Sequence, residues 1–170
     1  MSKSKFVNIC GPVMANTVYS NNVLVARDVS ITLPEIVPMT VDLSMMGTYT
    51  MPLWGIIEAM EAAITKIGLD KGLRALITPE MQPLELRWIQ TVTDANGATK
   101  NVGCKAFLKG IPLNIPEVGL EIGSASEHEV RFSLARYNLF VDGEEMFLID
   151  RGAGIVRING KDYTDSDTLL

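Results

Sequence analysis

The chain contains one histidine, His128, and two cysteines, Cys10 and Cys104, and this scarcity excludes a good deal of chemistry. A histidine-centred metal cluster or a serine–histidine dyad needs partners at ligand or hydrogen-bond spacing, and Glu127-His128-Glu129 supplies none. Its place at the start of a strand predicts an exposed, solvated side chain. The cysteines form no Cys-x-x-Cys pair and are expected to remain reduced thiols. Basic excess is also missing: 15 Lys and Arg face 20 Asp and Glu, so the chain offers nucleic acid no cationic footprint. No apolar run approaches the roughly 18 residues of a membrane-crossing helix. The first nine residues carry Lys3 and Lys5 without an apolar core, so they do not read as a signal peptide. Folding and assembly in the cytoplasm are expected, with no membrane partner.

No catalytic constellation replaces the missing histidines. Gly152-Ala153-Gly154 lacks the helix that a phosphate-binding loop needs after it. Glu144-Glu145 falls at a hairpin tip, and Asp162, Asp165 and Asp167 fall in a tail. An acid–base pair needs an enclosed pocket that separates two pKa values, and tips and tails provide none. The Asp165 region lacks the pattern of an EF-hand. The expectation is no enzyme, no catalytic residue, no cofactor and no metal.

What the chain does hold is apolar content, 47% of residues against 21% charged, with a mean hydropathy of +0.20. At 170 residues one domain with a substantial core is expected. Residues 1–23 are polar and rich in Asn, and read as an extended arm ordered by packing on something else. Arg27 to Leu33 alternates as one strand, and Pro34 and Pro38 end it. The segment from Ile56 to Ile67 is open between a helix, with apolar residues at a 3.6 period, and a strand from Met60 to Lys66. Leu69 to Leu76 suits a short helix.

Beyond Pro83 the pattern is β. Leu84, Leu86 and Trp88 alternate, Asp94-Ala95-Asn96-Gly97 marks a hairpin, and Val102, Cys104, Ala106 and Leu108 alternate on the return. Ile111 to Gly123 reads as a loop, followed by a long strand from Glu129 to Val141. In that strand the apolar positions are even-numbered at Val130, Phe132 and Leu134, then odd-numbered at Ala135, Tyr137, Leu139 and Val141. The slip predicts a bulge or bend near Leu134. Met146 to Ile149 and Ile155 to Ile158 add two more strands, after turns at Asp142-Gly143 and Asn159-Gly160. The fold class is mainly β, a small sandwich or barrel with a short flanking helix.

One stretch stands apart. From Leu43 to Ile57 fifteen residues pass without a charge, flanked by Asp42 and Glu58. Its Met, Thr, Gly and Pro content lacks clean core periodicity, and an exposed apolar segment of this kind marks a protein–protein contact. Burying about 300 Å² of it would contribute on the order of 7 kcal/mol before ordering costs. Met39, Met45, Met46, Tyr49, Met51, Leu53 and Trp54 are the candidate self-assembly residues.

The ordered motifs resemble the major tail tube protein of contractile-tailed phages and of phage-tail-like bacteriocins. Arg136-Tyr137-Asn138-Leu139, Val141-Asp142-Gly143-Glu144-Glu145, Ile149-Asp150 and Arg157-Ile158-Asn159-Gly160-Lys161-Asp162 carry it most specifically. Val29-Ser30-Ile31-Thr32-Leu33-Pro34 and the segment around Met45-Met46-Gly47 match more weakly. The resemblance covers roughly residues 24 to 165. It implies an arm over 1–23, a tail tube β-sandwich domain over 24–165 and a tail over 166–170. It also implies six-membered rings that stack into a tube, with a long protruding hairpin over about Glu35 to Trp54 bridging them. It favours a strand at Met60 to Lys66. Implied partners are further copies of the chain, a sheath protein, tape-measure and baseplate proteins, and double-stranded DNA that passes without specific binding. The implied location is the virion tail, assembled in the bacterial host cytoplasm. The alternative is the tube of a bacteriocin or a type VI secretion-like machine without DNA cargo.

Overall fold

A computed structural model describes residues 9–94 and 96–163, apart from the side chains of Ile9 and Cys10. Strands dominate. In chain order they are β1 (Ile9–Ser20), β2 (Val23–Arg27), β3 (Ser30–Thr32), β4 (Pro38–Ser44), β5 (Thr48–Ile57) and β6 (Met60–Ile67). The helix α1 (Lys71–Leu76) follows, then β7 (Gln82–Thr93), β8 (Thr99–Pro112), β9 (Glu127–Val141), β10 (Glu144–Asp150), β11 (Ile155–Ile158) and β12 (Lys161–Asp162). The chain is thus mainly β with one short helix, as the alternation predicts. Its main sheet is antiparallel and runs β12-β11-β10-β9-β8-β7-β1-β2, with β6 and then β3 branching from β9. It is not closed into a barrel.

The branch is built on the phase slip in β9. Arg136 pairs with Lys109 and Leu134 with Gly110, so Ala135 has no opposite residue on β8. One edge of β9 is thereby divided: Glu127 to Leu134 pairs with β6, and Arg136 to Val141 pairs with β10. Val130, Phe132 and Leu134 are buried before the bulge and Tyr137 after it, so both halves feed one core. Burial pushes the Tyr137 hydroxyl up to about 12. The core gathers Met60, Ala62 and Ile64 of β6 against Leu84, Leu86, Ala106 and Leu108 of β7 and β8, with Leu73 and Leu76 of α1 closing it.

The segment open between helix and strand is therefore the strand β6, whose alternating buried positions match a sheet. Residues 9–20 correct the expectation of an arm throughout 1–23. They pair with β7 and carry the fully buried Val18. From Ala15 to Ser20 the pairing with β7 is continuous, and irregularities fall on either side of Val13. Arg27 to Leu33 is likewise not one strand. Asp28 takes a left-handed φ of 51°, and the Asn16 side chain accepts from Val29 N–H at 2.9 Å and donates to its carbonyl at 2.7 Å. This local pairing pulls the chain out of β2 and restarts it as β3. The expectations for residues 1–8 and 164–170, including Asp165 and Asp167, fall outside the described residues.

A buried polar group fixes α1. Asp70 caps the helix by accepting from Leu73 N–H at 2.8 Å. Lys66, almost wholly buried, donates to Asp70 at 2.8 and 2.9 Å and to the Val25 carbonyl of β2 at 2.6 Å. The helix approaches β2 so closely that a Cβ on Gly72 would overlap the Val25 carbonyl and lie 2.7 Å from Lys66 Nζ. Gly72→Ala is expected to destabilise the chain by about 2 kcal/mol, despite Ala's better helix propensity, read as a lowered denaturation midpoint.

Asp70 also ties stability to pH. The Lys66 hydrogen bond, then that from Leu73, holds its carboxyl below the ordinary 3.8. A depressed folded value means that the stabilisation is complete above that figure and is lost as pH falls from there through the folded value. Denaturation of the parent chain and of Asp70→Asn should therefore converge on acidification below about 4.

Candidate assembly hairpin

β4 and β5 form a separate two-stranded sheet, paired only with each other. The register decides what this ribbon presents. Met39 lies opposite Leu53, Val41 opposite Met51, and Leu43 opposite Tyr49. Opposed residues project to the same side of a sheet, so these three pairs make one continuous apolar face. The other side carries Thr40 opposite Pro52, Asp42 opposite Thr50, and Ser44 opposite Thr48. Thr50 donates its hydroxyl to Asp42 at 2.8 Å, which occupies the only charge on the ribbon's polar side. The uncharged stretch is thus a one-sided ribbon.

That apolar face is uncovered within the chain. Met39, Val41 and Tyr49 are exposed, and Met51, Leu53 and Leu43 are only half buried. The tip turns through Met46, at φ 51°, and Gly47, at φ 115°, closed by Met45 N–H donating to the Gly47 carbonyl at 2.7 Å. Met46 projects there fully into solvent, and Met45 is largely exposed. Trp54 does not share the face. The register jumps from Met39–Leu53 to Pro38–Ile57, which leaves Trp54, Gly55 and Ile56 without opposite partners. The structure therefore groups Met39, Tyr49, Met51 and Leu53 on one face, puts Met45 and Met46 at the tip, and separates Trp54 at the root. Val41 and Leu43 belong to the face and were missed in the sequence, because their alternation with Asp42 is short and overlaps the start of the uncharged run.

The root is held by a residue that no pattern marked. Arg151 donates from its guanidinium to the carbonyls of Ile57, at 2.8 Å, and Glu58. Glu58 N–H donates to Val37 across the root at 2.9 Å, and Arg151 N–H donates to the Ala135 carbonyl at the β9 bulge at 2.9 Å. One residue thus couples the bulge to the ribbon.

His128 corrects the expectation of a solvated side chain: it is fully buried. The segment between β8 and β9 folds over it. The Glu117 carbonyl lies 3.2 Å from Nδ1 and Ser126 Oγ 2.9 Å from Nε2. Since a carbonyl only accepts, Nδ1 carries the proton and Nε2 accepts from Ser126. Both ring nitrogens are committed to holding that segment. Glu145 is engaged by Arg157 at 2.9 Å through both its oxygens, and Cys104 is buried. Among the described residues no cluster of His, Cys, Asp and Glu is arranged to hold a metal, and no helix is long and apolar enough to cross a membrane.

The described residues thus form a body with its own core that carries an uncovered apolar ribbon. The chain belongs to the phage tail tube protein family: the family model described as phage tail tube protein FII matches residues 13–167. It is a tube protein of a contractile tail or injection system. Among solved structures, it is similar to a chain of the sheath–tube complex of the PVC extracellular contractile injection system in its extended state. That match has 14% identity, a TM-score of 0.53, and covers 76% of this chain and 90% of that one. The tube-terminating cap of the anti-feeding prophage matches at 13% identity and TM-score 0.56, covering 82% of this chain and 96% of the other. These likenesses are of fold. No curated protein sequence matches the chain.

Replacing Arg151 with Met is expected to leave the core folded and to loosen the ribbon at its root. Hydrogen exchange should then rise in residues 38–57 while β7 and β8 keep their protection.

Proposed function

We propose that the chain is the structural subunit of the inner tube of a contractile phage tail. It forms hexameric rings that stack through the β4–β5 ribbon and conduct double-stranded DNA into the host. The observation that carries this reading is the uncovered face of Met39, Val41, Leu43, Tyr49, Met51 and Leu53 in a chain of the tail tube family. A two-stranded ribbon is marginal alone in water. An apolar face on such a ribbon is stabilised once a neighbour covers it. The role is mechanical and non-enzymatic. The tube is assembled in the host cytoplasm inside a sheath, around a tape-measure protein and on a baseplate. The net charge of −5 suits a conduit for DNA, because a wall without cationic excess does not retain phosphates.

A second reading has an observation in its favour. Both structural neighbours belong to devices described as an extracellular contractile injection system and an anti-feeding prophage. A tube of that kind, or of a bacteriocin, has the same fold and carries no DNA. Neighbouring genes separate the readings: capsid genes beside sheath and tape-measure genes support the phage tail, and their absence supports an injection device.

Electron microscopy of the purified chain at high concentration should show rings and tubes, and a strictly monomeric particle under all conditions overturns the proposal. Met51→Asp combined with Leu53→Asp should keep the β spectrum and thermal transition of the body and abolish tubes. Trp54→Asp, off that face, should reduce tube yield less.

A further inference from the structure

The segment between β8 and β9 holds a strand pattern with no sheet. Val118, Leu120 and Ile122 alternate with Gly119, Glu121 and Gly123, a period of two built on Val, Leu and Ile. Yet the segment joins no ladder. Among the described residues, Val118, Gly119 and Leu120 exchange no hydrogen bond with the rest of the chain. Leu120 and Ile122 stand almost wholly in solvent, at 82% and 104% exposure.

The segment is nevertheless held in place at both ends. Leu113 N–H donates to the Arg131 carbonyl at 2.8 Å. The Asn114 side chain then takes over as a stand-in strand, accepting from Arg131 N–H at 2.8 Å and donating to the Glu129 carbonyl at 3.0 Å. His128 pins Glu117 and Ser126, and Gly68 N–H donates to the Ser126 carbonyl at 2.8 Å. Between these anchors the chain presents a strand-like stretch whose backbone donors and acceptors are unengaged from Val118 to Leu120, while the Glu121 carbonyl accepts from Ser124 N–H at 3.2 Å.

The ribbon offers the counterpart. The outer edge of β4 pairs with nothing, and from Met39 to Ser44 it contains no proline, so every residue there has an N–H to donate. β5 carries Pro52 and is the poorer edge. We infer that Val118 to Ile122 of one copy adds as a strand to the β4 edge of a neighbouring copy. The ribbon thereby becomes a three-stranded sheet. This rests on the proposed tube assembly and names the surface that receives the ribbon.

The two elements lie at opposite ends of one ladder within a chain, a placement that suits pairing between copies. The ribbon leaves the body at the Met60 end of the β6–β9 ladder, where Met60 pairs with Leu134. The segment sits at the Ile67 end, where Ile67 pairs with Glu127. Seven residue steps of about 3.4 Å separate the two ends by about 24 Å. A contact joining one end of a copy to the opposite end of the next is heterologous, and it propagates as an open stack.

Charge narrows the register to two. If Val118, Leu120 and Ile122 continue the apolar face of Met39, Val41 and Leu43, then Gly119 and Glu121 lie on the polar side with Thr40, Asp42 and Ser44. Glu121 opposite Asp42 would place like charges together, so Glu121 lies opposite Thr40 or Ser44.

The test mixes two proteins, each with Cys10→Ser and each with one new cysteine. One carries Glu121→Cys and the other Thr40→Cys or, in a second mixture, Ser44→Cys, all at exposed positions, while native Cys104 stays buried; one of the two mixtures is expected to crosslink. A short thiol-reactive crosslinker applied to mixed tubes should give a covalent heterodimer, since neither protein holds both new thiols. Amide exchange of residues 118–122 should slow at least tenfold between monomer and tube. Tubes that form normally without the heterodimer in either mixture, or with 118–122 exchanging as in the monomer, overturn this inference and leave the tube function standing. If the parent chain forms no tubes, both fall.

Discussion

The absence of a residue opposite Ala135 organises the whole subunit. Because β9 slips by one position there, it serves β6 with one half of an edge and β10 with the other. Without the slip, Tyr137 would turn outward and the two branches would compete for the same backbone groups. The Ala135 carbonyl, displaced by the bulge, accepts from Arg151 N–H, and the Arg151 side chain reaches the ribbon's root at Ile57 and Glu58. The core and the ribbon are therefore linked through one irregularity in a strand.

Most of the β architecture was legible because one-sided burial writes itself as alternation. The β9 slip could be read for the same reason: apolar positions changed from even to odd between Leu134 and Ala135. What failed to read were the positions where hydrogen bonding or coverage from afar decides. Met60 to Ile67 fits a helix by composition, and only its pairing with β9 makes it a strand. Residues 9–20 carry no clean alternation, since Gly11 and Pro12 interrupt the pattern and Val13 and Met14 are exposed, so only the pairing with β7 makes them a strand. Asp28 breaks an apparent strand through the Asn16 amide, which is twelve residues distant and silent in any local window. His128 looked solvated because its neighbours are glutamates, while the segment that covers it arrives from residues 113–126. Val41 and Leu43 became visible as part of the ribbon face only through cross-strand register.

The polar interior follows the same logic of commitment. Lys66 gives its ammonium hydrogens to Asp70 and Val25, and Asp70 gives its remaining capacity to the helix start. Gln82 accepts from Ser20 Oγ at 2.6 Å and donates to the Leu76 carbonyl at 3.2 Å, finishing the other end of α1. A helix of six residues is too short to persist on propensity, so buried side chains bracket it at both ends. Lys66, Ser20, Gln82 and His128 thus hold elements in place through paired polar groups, whereas the buried Asn138 Oδ1 has no partner among the described residues.

The methionines of the ribbon carry a further consequence for the life of the subunit. Met39, Met45 and Met46 lie open to solvent in the free chain. Oxidation to the sulfoxide would turn a pliable apolar side chain into a polar one on or beside the ribbon's apolar face. If that face joins copies as proposed, peroxide damage to free subunits would disable new polymer, while built polymer would be shielded wherever a neighbour covers the sulfur. The ribbon would then act as a chemical record of how long a subunit has waited, since the surface open to oxidation is the one proposed to join copies.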